Sequence, residues 1–234
     1  MMIHDSKLPQ NEPGAYPSYT DVFKASELRN AEFSHTYNFP LFTKAEVIPP
    51  KLIPFDKIFQ SGEENNDAFV HFFLQDVCFE RLWKNPEKYI NQLKKYAGCI
   101  MPDFSLCYDF PYPLQLYNCY RNRVMGFILS SYDIPVIMNV SFADPRSYDF
   151  CCNGISKGGV IATGSLGTMK NPENRIYFYD GLSHVLTTLE PSDLIIYGTI
   201  SNEIRELCDN LKTRIHAFTP KWDASFVVRE AIYG

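Results

Sequence analysis

The stretch Phe69-Val70-His71-Phe72-Phe73-Leu74-Gln75-Asp76 sets the pattern by which the rest of the chain is read. It is a short apolar run that ends abruptly in polar residues, and a helix-like segment follows. The phrase returns at Cys99–Met101, ending at Pro102-Asp103-Phe104-Ser105, and at Val136–Met138, ending at Asn139-Val140-Ser141. It returns again at Val160–Ala162, ending at Thr163-Gly164-Ser165, and at Leu194–Tyr197, ending at Gly198-Thr199; Ile215–Phe218 closes the series. Continuous apolar runs that alternate with helices belong to a parallel sheet covered on both faces. Each crossover should be right-handed. The expected fold is therefore α/β, a single domain with a mostly parallel sheet of about six strands. An open doubly wound sheet and a small, incomplete (β/α) barrel both satisfy the pattern, the barrel only with strands borrowed from the N-terminal segment.

Helices are expected between the strands. One runs from about Pro86 to Ala97, with Asn85 as N-cap, Lys94 and Lys95 in the last turn and Gly98 as the stop. Others cover Pro113 to Ser131, Gly181 to Leu189 and Asn202 to Thr213, the last capped by Ser201. Residues 1–66 differ in kind. Seven of the 16 prolines fall before residue 55, which excludes a long helix or a central strand there. The same segment carries Phe23, Phe33, Phe39, Phe42, Ile48 and Phe55, too many apolar groups for a free tail. It is read as an arm packed on the main domain, residues 67–234.

Composition narrows the function. A formal net charge of −5 without a Lys/Arg block disfavours non-specific binding to duplex DNA. No apolar stretch approaches the roughly 20 residues that span a bilayer, and the N-terminus lacks signal-peptide features, so a cytoplasmic location is expected. The seven cysteines form no C-x-x-C pair, and their odd count and scattered spacing argue against a disulfide framework or a zinc site. They are read as small core residues.

In α/β folds ligands gather where parallel strands deliver their carboxyl ends. Asp76 and Asp103 both follow strands and should emerge at one rim, where two carboxylates can split their pKa values or share a divalent cation. Glu80, four residues on, joins them as a third acidic candidate. Each aspartate could instead cap the helix that follows it. Ser105, Asn139, Ser141 and Tyr197 end strands at the same rim and are ligand-binding candidates. The turn at Thr163, Gly164 and Ser165 can present backbone N–H groups to an anion. It matches neither G-x-G-x-x-G, nor the Walker pattern, nor G-x-S-x-G. On the segment Asn118-Cys119-Tyr120-Arg121-Asn122-Arg123, Asn118, Arg121 and Asn122 share one helical face, and Arg121 could grip a phosphate or carboxylate. His71, inside an apolar strand, is read as a core histidine, and His184 as an exposed one.

Several of these motifs, in this order, resemble the uncharacterised domain-of-unknown-function family 4417 of bacterial, phage and mobile-element proteins. The resemblance rests on Val70-His71-Phe72-Phe73, Phe79-Glu80-Arg81-Leu82-Trp83, Pro102-Asp103-Phe104-Ser105, Tyr120-Arg121-Asn122-Arg123, Ser147-Tyr148-Asp149-Phe150, Asn153-Gly154-Ile155 and Ile196-Tyr197-Gly198. It implies a compact protein that travels with phages or mobile elements, and brings no established activity. The chain departs from the family pattern at Phe142, where Trp is expected, and at Val77, where Asp is expected; Val77 weakens the case for a rim metal. Two functions are carried forward. One is a site for a small anionic ligand, phosphate-bearing or nucleotide-like, with hydrolysis or binding rather than redox chemistry. The other is a non-enzymatic protein that binds a host or phage machine.

Overall fold

The computed structural model describes residues 21–167 and 171–219. Strands β1 (Leu52–Pro54), β2 (Phe69–His71), β3 (Gly98–Ile100), β4 (Val136–Asn139), β5 (Val160–Gly164), β6 (Asp193–Tyr197) and β7 (Arg214–Phe218) form one sheet in chain order. Every neighbouring pair is parallel. Helices α1 (Asp76–Lys84) and α2 (Glu87–Leu93) join β2 to β3, and α3 (Tyr112–Ser131) joins β3 to β4. Helices α4 (Pro145–Cys151), α5 (Pro172–Leu189) and α6 (Asn202–Asn210) make the remaining crossovers.

Strict sequential order decides between the two expected architectures. Right-handed crossovers that never reverse direction put all helices on one face, so the sheet curls instead of being doubly wound. The curl can be measured. The ring centroids of His71 on β2 and Tyr197 on β6 lie 4.3 Å apart, whereas strands four places apart in a flat sheet stand about 19 Å apart. The result is a half-barrel. Its concave side holds Phe69, Ile100, Ile137, Val160, Ala162 and Ile195. Its convex side presents Val70, Phe72 and Cys99 to α1–α3, and Met138, Ile161, Leu194 and Ile196 to α4–α6. Both faces are apolar, which is why the strands read as unbroken runs.

The Pro-rich segment supplies the seventh strand. β1 lies at the sheet edge and ends in Pro54, a place where a missing N–H costs no ladder bond. Ala45, Ile48 and Leu52 pack into the concave side, and Val160 N–H donates to Ala45 O at 2.8 Å. Elsewhere the boundaries shift for local reasons. α2 stops at Leu93, and its N-cap residue is Pro86, not Asn85. α5 begins nine residues before Gly181 because Asn171 accepts from Glu173 N–H at 2.8 Å and Pro172 takes the first helical position. That first half carries no apolar stripe to betray it. α6 ends at Asn210 rather than Thr213, capped as expected by Ser201. No described helix is long and apolar enough to cross a membrane.

Among the enclosed polar side chains, two bear directly on stability. Arg123 on α3 is 1% exposed, and its Nε donates to Asn153 O at 3.2 Å. Nη2 donates to Cys151 O at the end of α4, and Nη1 to Asn122 Oδ1 and to Asn139 O on β4. A helix carboxyl end is a favourable seat for a cation. Replacement of Arg123 by Met leaves several buried carbonyls without donors, at about 1–3 kcal/mol each. Arg123→Met should therefore cost at least about 3 kcal/mol of unfolding free energy by urea titration; a loss below about 1 kcal/mol would show that solvent reaches those carbonyls.

His71, 1% exposed, sits among Phe73 and Tyr197, and its Nδ1 accepts from Phe73 N–H at 3.2 Å. Burial lowers its pKa to about 3, against an ordinary 6.5. Between those values the unfolded chain binds a proton that the native state refuses, so stability falls as pH drops below about 6.5. At pH 5 this residue should cost about 2 kcal/mol relative to pH 7. His71→Leu should flatten the pH dependence of the urea midpoint between pH 7 and 5 by that amount. An unchanged slope would mean that the imidazole takes its proton inside the fold.

Candidate functional site

The mouth of the half-barrel is built by the loops after β2, β3, β4, β5 and β6. The β3 loop is fixed from behind by two amides one helical turn apart on α3. Asn118 Nδ2 donates to Ser105 O at 2.7 Å and Asn122 Nδ2 to Pro102 O at 2.6 Å. Gly126 lets α3 approach closely, since a Cβ there would meet Met101 Sδ at 2.7 Å. Asp103 is thereby presented between two clamped carbonyls.

Neither aspartate caps a helix. Asp76 opens α1, but its carboxylate turns outward to the next loop, where it accepts from Ser105 N–H at 3.2 Å and Ser105 Oγ at 2.7 Å. Asp103 Oδ1 accepts from Asn139 Nδ2 at 2.8 Å and from Ser141 Oγ. Asp76 is held by Ser105 and Asp103 by Asn139 and Ser141, and the two carboxylates act on each other through charge. Desolvation raises the pKa of Asp103 above the ordinary carboxylate value, and the Asp76 charge adds to it; the bonds from Ser141 and Asn139 oppose the rise. Asn139 Oδ1 is buried without a hydrogen-bond partner, an acceptor left open beside the same carboxylate.

A pocket of about 230 Å3 opens over this cluster. Asp103, Ser105 and Ser141 line one side, Thr163, Gly164 and Gly167 another, and Phe142 and Phe178 an apolar wall. Gly164 keeps the entrance clear, since a Cβ there would stand 3.0 Å from the Phe73 ring and 3.7 Å from Asp103 Oδ2. Thr163 Oγ1 donates to Val140 O at 3.0 Å and Ser165 Oγ to Thr199 O at 2.8 Å. Gly167 has φ +80° and open space around it. Thr168 and Lys170, further along the same segment, lie outside the described residues. Tyr197 stacks on Phe73 at 5.2 Å in the throat below the mouth. A larger open hollow of about 440 Å3, lined by Arg205, Asp209, Lys212 and Arg214, lies at the opposite end of β7 and meets none of these residues.

Arg121 and Glu80 are placed to one side. They pair with each other, and the guanidinium lies 3.8 Å from the Phe104 ring centroid and 5.1 Å from that of Trp83. The polar face of α3 therefore divides its labour, Asn118 and Asn122 toward the mouth loop and Arg121 toward an aromatic box. The pocket's Phe178, Leu106 and Cys107 carried no sequence signal beyond being apolar or small, and Phe142 stood out only as a departure from the family pattern. Burial raises the Cys107 thiol pKa, so it is no ready nucleophile. Among the described residues the rim carboxylates do not form a group of three metal-ligating side chains; Cys151, Cys152 and His184 do, on the outer helical layer. The adjacent cysteines were the visible half of that signal, and His184 is half-buried rather than exposed.

Comparison with known proteins agrees with the motif order. The chain is similar to the Gene 1 protein of Mycobacterium phage L5, 29% identical over 194 residues, covering 82% of each chain. It is also similar to the Gene 1 protein of Mycobacterium phage D29, 31% identical over 155 residues, covering 66% of this chain and 56% of that one. No solved structure matches. The family model for a domain of unknown function, DUF4417, matches residues 31–217, and the chain belongs to that family.

Proposed function

We propose that the mouth of the half-barrel is a small-ligand site in a phage- or mobile-element-borne protein, with Asp103 as its central group. The observation that carries this reading is the desolvated Asp103 carboxyl, raised in pKa and facing a pocket of about 230 Å3. A fold gains nothing in stability from such a group, and groups kept against stability cluster at functional sites. The lining narrows the ligand. A carboxyl and two serines suit hydroxyl or amino donors of a sugar or base, and Phe142 and Phe178 suit its apolar face. A phosphate fits only toward Leu166 and Gly167, whose backbone N–H groups follow the last bond of the β5 ladder. A nucleotide-like ligand combines both. Asp103 would then act as the acid in hydrolysis, with the nearby Asp76 charge helping it keep its proton. Similarity to two mycobacteriophage proteins supports the phage-borne setting.

A second reading has its own observation. Val77 on α1, Tyr108 in the β3–α3 loop and Ile176 on α5 are 78%, 44% and 60% exposed, and all three belong to segments that start from the rim. Exposed apolar groups around a polar mouth suit a protein partner that covers it.

Asp103→Asn separates the readings. A carboxyl whose folded pKa is raised costs stability at neutral pH, so the amide should leave the melting temperature equal or higher. The same change should abolish the thermal shift that nucleosides, nucleoside monophosphates or sugar phosphates give the wild type. A destabilised Asp103→Asn, or no shift from any of these with the wild type, would sink the small-ligand site and leave the partner surface.

A further inference from the structure

Two thiols and an imidazole meet on the convex side, between the end of α4 and the middle of α5. Cys151 is the last residue of α4, Cys152 follows as its C-cap, and His184 comes from α5. One ligand atom from each lies within 4.8 Å of the others, and the two sulfurs stand 3.8 Å apart. A disulfide holds its sulfurs at about 2.05 Å, far inside that spacing. Zinc–thiolate bonds of about 2.3 Å at a tetrahedral angle put two sulfurs about 3.8 Å apart. The pair already has the edge length of a zinc tetrahedron.

The imidazole is held for the same task. The Tyr148 ring lies nearly parallel to it, 5.1 Å away with 15° between the planes, and Thr188 Oγ1 stands 3.5 Å from Nε2. A ligating histidine needs this kind of support for its orientation. From these juxtapositions we propose that Cys151, Cys152 and His184 bind one Zn2+ ion, which staples α4 to α5. Two thiolates cancel the dication, so the bound group is neutral where it is half-buried. Cu+ on the same three ligands would leave a net negative charge there. Among the described residues no fourth His, Cys, Asp or Glu joins the group, so the fourth position falls to water or an anion.

The test uses the full chain, reduced and stripped of metal, with Zn2+ titrated against a chromophoric chelator and Co2+ as the absorbing substitute. The expected result is one zinc per chain, a melting temperature that rises with free Zn2+, and Co2+ charge-transfer bands of a two-thiolate site. Cys152→Ser and His184→Ala should each lose the ion, and Cys107→Ser should keep it. His184→Cys guards against a folding artefact: it should keep one zinc and raise the Co2+ charge-transfer intensity by about half, as expected for three thiolates in place of two. The proposal fails if the wild type takes up no stoichiometric zinc, if either ligand variant retains it, or if the chain binds Cu+ tightly and Zn2+ not at all.

Discussion

A cation enclosed without a carboxylate must be surrounded by oriented carbonyls, and Arg123 imposes that demand on four acceptors, from α3 itself, β4 and the end of α4. Its donors go to Cys151 O, Asn153 O, Asn139 O and Asn122 Oδ1. Each acceptor leads onward. Asn122, turned by its bond from Arg123, donates through Nδ2 to Pro102 O, the residue before Asp103. Asn139, whose carbonyl faces Arg123, donates through Nδ2 to Asp103 itself. One route, through Asn139, therefore runs from the buried guanidinium to the central carboxyl of the mouth, and a second, through Asn122, ends on the carbonyl just before it. The rim is tied to this cation because a buried charge must find its hydrogen-bond partners within the fold.

The half-barrel explains why the mouth is polar and the throat is not. Six concave-facing side chains from β2–β6 fill the interior with apolar groups, and the Pro-rich segment closes over them through Ala45, Ile48 and Leu52. His71 has to stay neutral there. Above it the strands run out, the backbone leaves the ladder, and the loops must satisfy their own polar groups. Asp76, Asp103, Ser105, Asn139 and Ser141 do so for one another. The outcome is a carboxyl pair at the boundary between a dry throat and an open pocket, where small changes in solvation move acidity most.

How much of this was legible in the chain depends on distance in sequence. The strand runs, the rim and the clustering of Asp103 with Asn139 and Ser141 follow from a period any parallel sheet imposes. β1 was hidden because Pro49, Pro50 and Pro54 mask a three-residue edge strand. The first half of α5 was hidden because it carries no apolar stripe. Arg121 and Arg123, two residues apart, point to opposite fates: one lies over the Phe104 and Trp83 rings and the other goes into backbone carbonyls. Helical spacing places them on different faces, but only the packed partners of those faces decide which arginine is which. Seven strands rather than six, and a curl rather than a doubly wound sheet, depend on long-range closure that local pattern does not carry.

Cys151 joins the two polar centres of the molecule. Its carbonyl accepts from Arg123, and its sulfur stands in the thiol–imidazole group with Cys152 and His184. The end of α4 is thus fixed from the α3 side by a cation and approached from the α5 side by ligand atoms. A short helix of seven residues has little stability of its own. Its N-terminus is secured by Asp144, which accepts from Arg146 N–H at 2.9 Å and from Gln115 Nε2 of α3 at 3.2 Å. Both ends of α4 are anchored to α3, and α3 holds the mouth loop through Asn118 and Asn122. The α4 end and the Asp103 loop therefore share one support, and a group that fixed α4 to α5 would brace the mouth through α3 without touching it.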